Sequence, residues 1–347
     1  MDSELQPPDL PEKQAALDSA TQPAAETARQ SAAAPAAKVA VEVASDSAAE
    51  PALFLPQPPS KIRVAFNALL HLAIYIAVVF LLWTVKDVLL ESAFRDSYLQ
   101  TSPKIILVEE LLGFAVVYGA ALILAKIEHR PVGNYGLPLS SGAGKDFAQG
   151  CVFGICEIST LIGLIALFGG YSFGSLAIHG VELLRWAAEW AVIFLVVGLF
   201  EEFAFRGYTL HTLARGIGFW PAAILLGLYF GFEHSHNPGE SFAGEAGVFL
   251  IALLFAFTLR RTGTLWLAVG WHAAFDFGET FLFSVPDSGA VFPGHLSNAT
   301  LHGPTWLTGG ATGPEGSVFS FAVMLILAIV FHFLYPSSKV GRAVTEA

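Results

Sequence analysis

Apolar residues along this chain come in long blocks separated by short polar breaks, rather than dispersed singly. Eight blocks stand out: 64–85, 105–126, 147–168, 184–213, 219–236, 244–259, 264–284 and 317–335. A bilayer core about 30 Å thick calls for about 20 mostly apolar residues per helix. The blocks therefore predict an all-α, polytopic membrane protein with about eight transmembrane helices. Block 184–213 exceeds one clean span, and 219–236 is short. A different texture precedes them: residues 1–60 are rich in Ala, Pro, Gln, Ser and acids, without periodicity and with no aromatic residue before Phe54. Such a stretch buries too little apolar surface to offset its ordering entropy, so a disordered acidic tail is expected there. The transmembrane domain is expected over 61–336, and a short cytoplasmic tail over 337–347.

Composition sharpens this picture in one respect. With 54% hydrophobic and only 14% charged residues and a mean hydropathy of +0.60, a water-soluble domain of this length is excluded. The net charge of −11 is carried largely by the tail and points to no nucleic-acid partner, and membrane lipid is the expected surrounding. No basic start leads into an apolar run, so no signal peptide is expected. Cys151 and Cys156, five apart in the third block, do not share a helix face and are expected to pack as small apolar residues. Orientation follows from the cations in short connections. Lys61, Arg63, Lys126, Arg130, Lys145, Arg215, Arg260, Arg261, Lys339 and Arg342 outnumber Lys86, Arg95, Lys104 and Arg185 on the other side. Both termini are thus expected in the cytoplasm, with the chain in a cytoplasmic (inner) membrane. Trp83, Trp186, Trp190, Trp220, Trp266 and Trp306 lie near block ends, where interfacial aromatics are expected.

Ionisable residues inside these blocks are the candidate chemistry, because each charge in hydrocarbon needs a partner or a task. In "EEFAFR" (201–206), Glu202 and Arg206 are four apart on one face, acid first, the better order for an ion pair. Glu201 is turned about 100° away and left without that partner. Two more stretches can supply company: "YFGFEHSHNPG" (229–239), with His234 and His236, and "GWHAAFDFGE" (270–279), with His272 and Asp276 four apart. If the fourth and fifth blocks form an antiparallel hairpin about Ile217–Gly218, Glu201 and His234 both lie about 16 residues, roughly 25 Å, from the turn. A desolvated carboxylate tuned by imidazoles suits a general base acting on water. The remaining imidazole and Asp276 could hold a developing oxyanion. Glu201, His234 and His272 could instead ligate a catalytic zinc with water in the fourth position. Glu157 is expected to hydrogen-bond a neighbour, and Glu109 and Glu110 to be interfacial. Ser172 in "GYSFG" has the spacing of a hydrolase nucleophile but not the strand-to-helix context that gives it meaning.

These residues resemble a known family. Glu201-Glu202-x-x-x-Arg206, Phe230-x-x-x-His234 and His272-x-x-x-Asp276 match, in order, the three motifs of the CAAX-processing and bacteriocin-processing (CPBP, or Abi) intramembrane proteases. The resemblance covers roughly 135–285, from "YGLPL" onward. It implies an eight-helix membrane endopeptidase acting on a protein or peptide, lipidated or not. In it Glu201 and His234 activate water, His272 and Asp276 hold the oxyanion, Glu202 and Arg206 form a structural pair, and Phe230 lines the site. Members have been described both as zinc enzymes and as metal-free glutamate-type enzymes. Phe232-x-x-x-His236 also satisfies the second motif, but Asn237-Pro238 after His234 favours the first register. The rival readings are a proton-coupled transporter and a non-catalytic immunity or scaffold protein of the same fold.

Overall fold

The computed structural model describes residues 60–94 and 102–337. The tails expected over 1–60 and 337–347 lie outside the described residues, apart from Ser60 and Ser337.

Each of the eight blocks is helical. The helices are α1 (Lys61–Phe94), α2 (Pro103–Ile127), α3 (Ala143–Leu167), α4 (Val181–Arg206), α5 (Tyr208–Ile217), α6 (Phe219–His234), α7 (Phe242–Thr262), α8 (Trp266–Phe277), the short α9 (Thr305–Thr308) and α10 (Val318–Leu334). A π-turn, Gly278–Leu282, prolongs α8. Two short strands, β1 (Tyr171–Ser172) and β2 (Thr300–Leu301), pair antiparallel, with Tyr171 opposite Leu301. The all-α polytopic fold is borne out. Five stretches among the described residues are long and apolar enough to cross a membrane: Lys61–Ser92, Pro103–Ile127, Ala143–Leu167, Val181–Ile217 and Phe242–Thr262. The other three helical blocks, α6, α8 and α10, hold 16, 12 and 17 residues and fall short of the length a full span needs.

Apolar side chains face outward as well as inward. Phe80 and Leu81 on α1, Leu228 on α6 and Phe333 on α10 are exposed, whereas Glu157, Glu202, Arg206 and Glu279 are buried. That inversion suits a lipid surround, where the polar groups must be satisfied internally. Trp190 departs from the expected interfacial belt. It is fully buried and donates its Nε1–H to the Pro293 carbonyl at 3.2 Å, which gives the indole a polar partner inside the protein.

The block expected as one helix to about residue 213 is broken. Gly207 takes ψ −118°, which ends α4 at Arg206 and starts α5 in a new direction. The straight hairpin between the fourth and fifth blocks is therefore replaced by α4, a short α5 packed against α1, and α6. Glu201 sits five residues from the end of its helix rather than deep along a continuous one.

Elsewhere α3 and α8 approach backbone to backbone. A Cβ on Gly154 would lie 2.2 Å from the Trp271 carbonyl oxygen, and one on Gly270 2.1 Å from that of Phe147. Only hydrogen fits at either place. Gly154→Val is expected to force the helices apart and destabilise the protein by about 3 kcal/mol, the upper end of overpacking costs. Thermal unfolding in detergent checks this, and a variant melting with the parent would mean α8 can slide.

At one end of the bundle the 128–142 connection meets the start of α8. The Gly136 carbonyl accepts from Leu265 N at 2.7 Å, and Trp266 Nε1 donates to the Pro138 carbonyl at 2.9 Å. Glu128 is the hub of this end. It accepts from Tyr208 Oη at 2.6 Å, Tyr135 Oη at 3.1 Å and Arg215 at 3.3 Å, and lies 3.1 Å from His71 Nδ1. Burial alone would raise its carboxyl, but the two phenols, with Arg215 and His71, outweigh that and hold it below the ordinary range. A depressed folded-state value gives stability that is present above the unfolded value and lost as pH falls through the folded one. Glu128→Gln should therefore lower the unfolding temperature at neutral pH, with the gap to the parent closing as pH drops below about 4. An unfolding series from pH 7 to pH 3 checks the sign.

Candidate active site

Three elements bring the site together. α4 supplies Glu201, Glu202 and Arg206, α6 ends on His234, and α8 carries His272 and Asp276 one turn apart. α4 crosses α8 closely because Gly198 leaves room: a Cβ there would sit 3.0 Å from the Val269 carbonyl oxygen. Glu201, His234, His272 and Asp276, together with Phe230, line one cavity of about 280 Å³.

His272 is the centre of the contacts. Its Nδ1–H donates to Glu202 Oε1 at 3.0 Å. Its Nε2 faces Asp276 Oδ2 at 3.4 Å and Glu201 Oε2 at 3.6 Å. Phe255 stacks on the ring, with centroids 5.7 Å apart. A carboxylate only accepts unless protonated, so at least one proton must lie among Nε2, Asp276 and Glu201 to avoid opposed lone pairs.

Glu202 does more than the i,i+4 spacing suggested. It pairs with Arg206 at 3.0 Å and also holds His272, all with no exposure of its own. The Arg206 guanidinium lies 4.6 Å from the Phe230 ring and within 6 Å of Phe205 and Phe255. That aromatic surround accommodates the nitrogen, NH2, that finds no oxygen. Phe230 in turn packs edge-on against His234, with centroids 4.4 Å apart. His234 Nδ1 lies 2.9 Å from the Phe230 carbonyl oxygen. A carbonyl only accepts, so Nδ1 carries the hydrogen and, in the neutral ring, Nε2 keeps a free lone pair. His236, the other register of the motif, is exposed and bonds its own helix end through the Glu233 carbonyl.

Glu201 Oε2 is buried and has no hydrogen-bond partner. Such an oxygen in a cavity wall points to something that visits it, since a buried acceptor left unmade is costly. The ligand atoms of Glu201, His234 and His272 do not converge to within 4.8 Å of one another among the described residues. With His272 Nδ1 committed to Glu202, and Nε2 facing two carboxylates, this donor set does not fit a zinc ion.

One acid near the site escaped the sequence reading. Glu110, expected at the interface, lines the cavity instead, with one buried oxygen lacking a partner. Glu157, expected to hydrogen-bond a neighbour, does so: it accepts from Trp271 Nε1 at 2.5 Å, holding the residue beside His272, and it also lines the cavity.

Residues 183–278 match the family described as Rce1-like, type II CAAX prenyl endopeptidase Rce1-like. The CAAX-processing family resemblance is borne out. The match runs from α4 through α8 and includes every residue of the three motifs, although it is shorter than the 135–285 expected. The chain is also 25% identical over 139 residues to lysostaphin resistance protein A of Staphylococcus haemolyticus. That similarity takes in 37% of this chain and spans 38% of the length of the curated relative. The CAAX-family stretch stops at Gly278, one residue short of Glu279 and the acidic residues beyond it.

Proposed function

We propose that the chain is an intramembrane endopeptidase of CAAX-protease type, hydrolysing a peptide bond of a membrane-associated protein or peptide, lipidated or not. The observation that carries this reading is the buried Glu201 Oε2, which accepts no hydrogen bond, in a cavity shared with His234, His272 and Asp276. A water between Glu201 and the His234 Nε2 lone pair loses a proton to Glu201 as its oxygen bonds to the substrate carbonyl carbon. The proton among His272 Nε2 and Asp276 is donated toward the oxygen that becomes negative. The C–N bond then breaks, and the proton on Glu201 passes to the leaving amine. Glu202 acts through His272, fixing its ring by the Nδ1 bond, and Arg206 neutralises Glu202.

The cations Lys126, Arg130, Lys145, Arg215, Arg260 and Arg261 lie at or next to the 128–142, 217–219 and 262–266 connections. That supports a cytoplasmic placing of this end and of both termini, in a cytoplasmic (inner) membrane.

The test is a comparison of membrane-protein termini in cells carrying the intact chain or its Glu201→Gln variant. New termini that depend on Glu201 support the protease. A second reading, a non-catalytic immunity or scaffold protein, is favoured by the resistance named for the staphylococcal relative. Identical termini in the two strains would discard the protease and leave that reading standing.

A further inference from the structure

Beyond the motif residues, three carboxylates from separate segments converge. Glu279 comes from the π-turn after α8, Asp287 from the loop that follows, and Glu315 from the Pro314–Gly316 turn before α10. Each offers one oxygen, and the three oxygens lie within 4.8 Å of one another. Asp287 and Glu315 are oriented from outside the group. Thr280 Oγ1 donates to Asp287 Oδ2 at 3.0 Å, and Ser288 donates both its backbone N–H and its Oγ–H to Glu315 Oε2 at 2.8 Å.

Glu279 is different. Its side chain has no exposure, and neither carboxylate oxygen has a hydrogen-bond partner. The charged groups that act on it most strongly are themselves acids: Glu315, Asp287, Asp276 and Glu157. A fully buried carboxyl with both oxygens unmade, turned toward two more carboxyls, requires a counter-charge or protons.

We propose that Glu279, Asp287 and Glu315 form a site for one hard divalent cation of the calcium class. The donors are all oxygens, which suits calcium, magnesium or manganese rather than a thiophilic or imidazole-seeking metal. The spacing admits calcium, since two oxygens on opposite sides of an ion bound at about 2.4 Å lie about 4.8 Å apart. The hydrogen bonds to Asp287 and Glu315 are the outer contacts that orient ligands of a metal site. Asp287 and Glu315 also line the cavity, and Glu279 lies three residues after Asp276. The bound cation thus ties the end of α8 to the 283–317 connection and fixes that wall of the cavity. The site does not depend on the proteolytic reading.

The test uses the full chain in detergent, stripped with a chelator and titrated with calcium chloride. Calorimetry should count one calcium per chain, and the unfolding temperature should rise with calcium by mass action. Glu279→Gln and Asp287→Asn should weaken binding by about 10-fold or more and remove the rise. Glu201→Gln should retain both. Should Glu279→Gln not fold, Glu315→Gln is read in the same way. An unmodified chain with no calcium-dependent rise, or a variant with an undiminished one, overturns the site. So does a Glu279→Gln chain more stable than its parent at every calcium concentration, which would identify a protonated acid instead.

Discussion

Replacing Glu201 with glutamine is expected to slow peptide-bond cleavage by about 10²–10⁴-fold, the contribution of a positioned general base. The substitution keeps the shape and removes the ability to take a proton from water. Glu201 is not part of the buried pair, and its side chain is 22% exposed, so the fold should survive the change. The measurement is an initial rate on a substrate identified from mapped termini, paired with the unfolding temperature of the same preparation. Loss of rate with an unchanged unfolding temperature is the expected pattern. A rate within twofold of the parent would move the base elsewhere in the cavity, with Glu110 and Glu157 the acids next in line.

Arg206→Met should produce the opposite signature, a stability defect first. The pair with Glu202 is buried on both sides, at 3% and 0% exposure, and removing one partner of such a pair costs about 3–5 kcal/mol. The methionine replaces the guanidinium's contacts with Phe205, Phe230 and Phe255 only in part. Glu202 would be left with its hydrogen bond from His272, so the ring that faces Asp276 would be drawn toward Glu202. Denaturation in mixed micelles should therefore show a large loss for the single variant. The double variant with Glu202→Gln should recover part of it, since no uncompensated charge stays behind. Equal losses in the single and double variants would show that Arg206 serves by packing rather than by charge.

Much of the site was legible in the sequence because its members sit at helical spacings. Glu202 and Arg206 are one turn apart, as are Phe230 and His234, and His272 and Asp276, so each pair faces one way before any tertiary structure is known. Distances between helices were less legible. The count that matched Glu201 to His234 assumed an unbroken helix, and Gly207 interrupts it. The two residues still share a cavity because α4 and α6 meet it from different angles. The Glu202–His272 bond depends on how closely α4 crosses α8 at Gly198, which spacing within one helix does not encode. Glu110 looked interfacial because it opens a block, but α2 turns that face inward. Of the acidic trio, Glu279 had a signal, since residues 272, 276 and 279 recur on one face of α8 and its π-turn. Asp287 and Glu315 had none, lying in connections without periodicity and joined only by the fold.

The burial of the Glu201 oxygen in the cavity wall has a consequence for whatever enters there. Inside an intact helix each peptide carbonyl is bonded to the amide four residues on and sheathed by side chains, in a cylinder about 10–12 Å across. A transmembrane segment would have to unwind locally before its backbone reached Glu201, uncovering amide groups in surroundings where each unmet one is expensive. The segments able to comply are those already poor at holding a helix, through glycine, proline or β-branched runs. Selectivity would then lie as much in how readily a guest comes apart as in which side chains it presents.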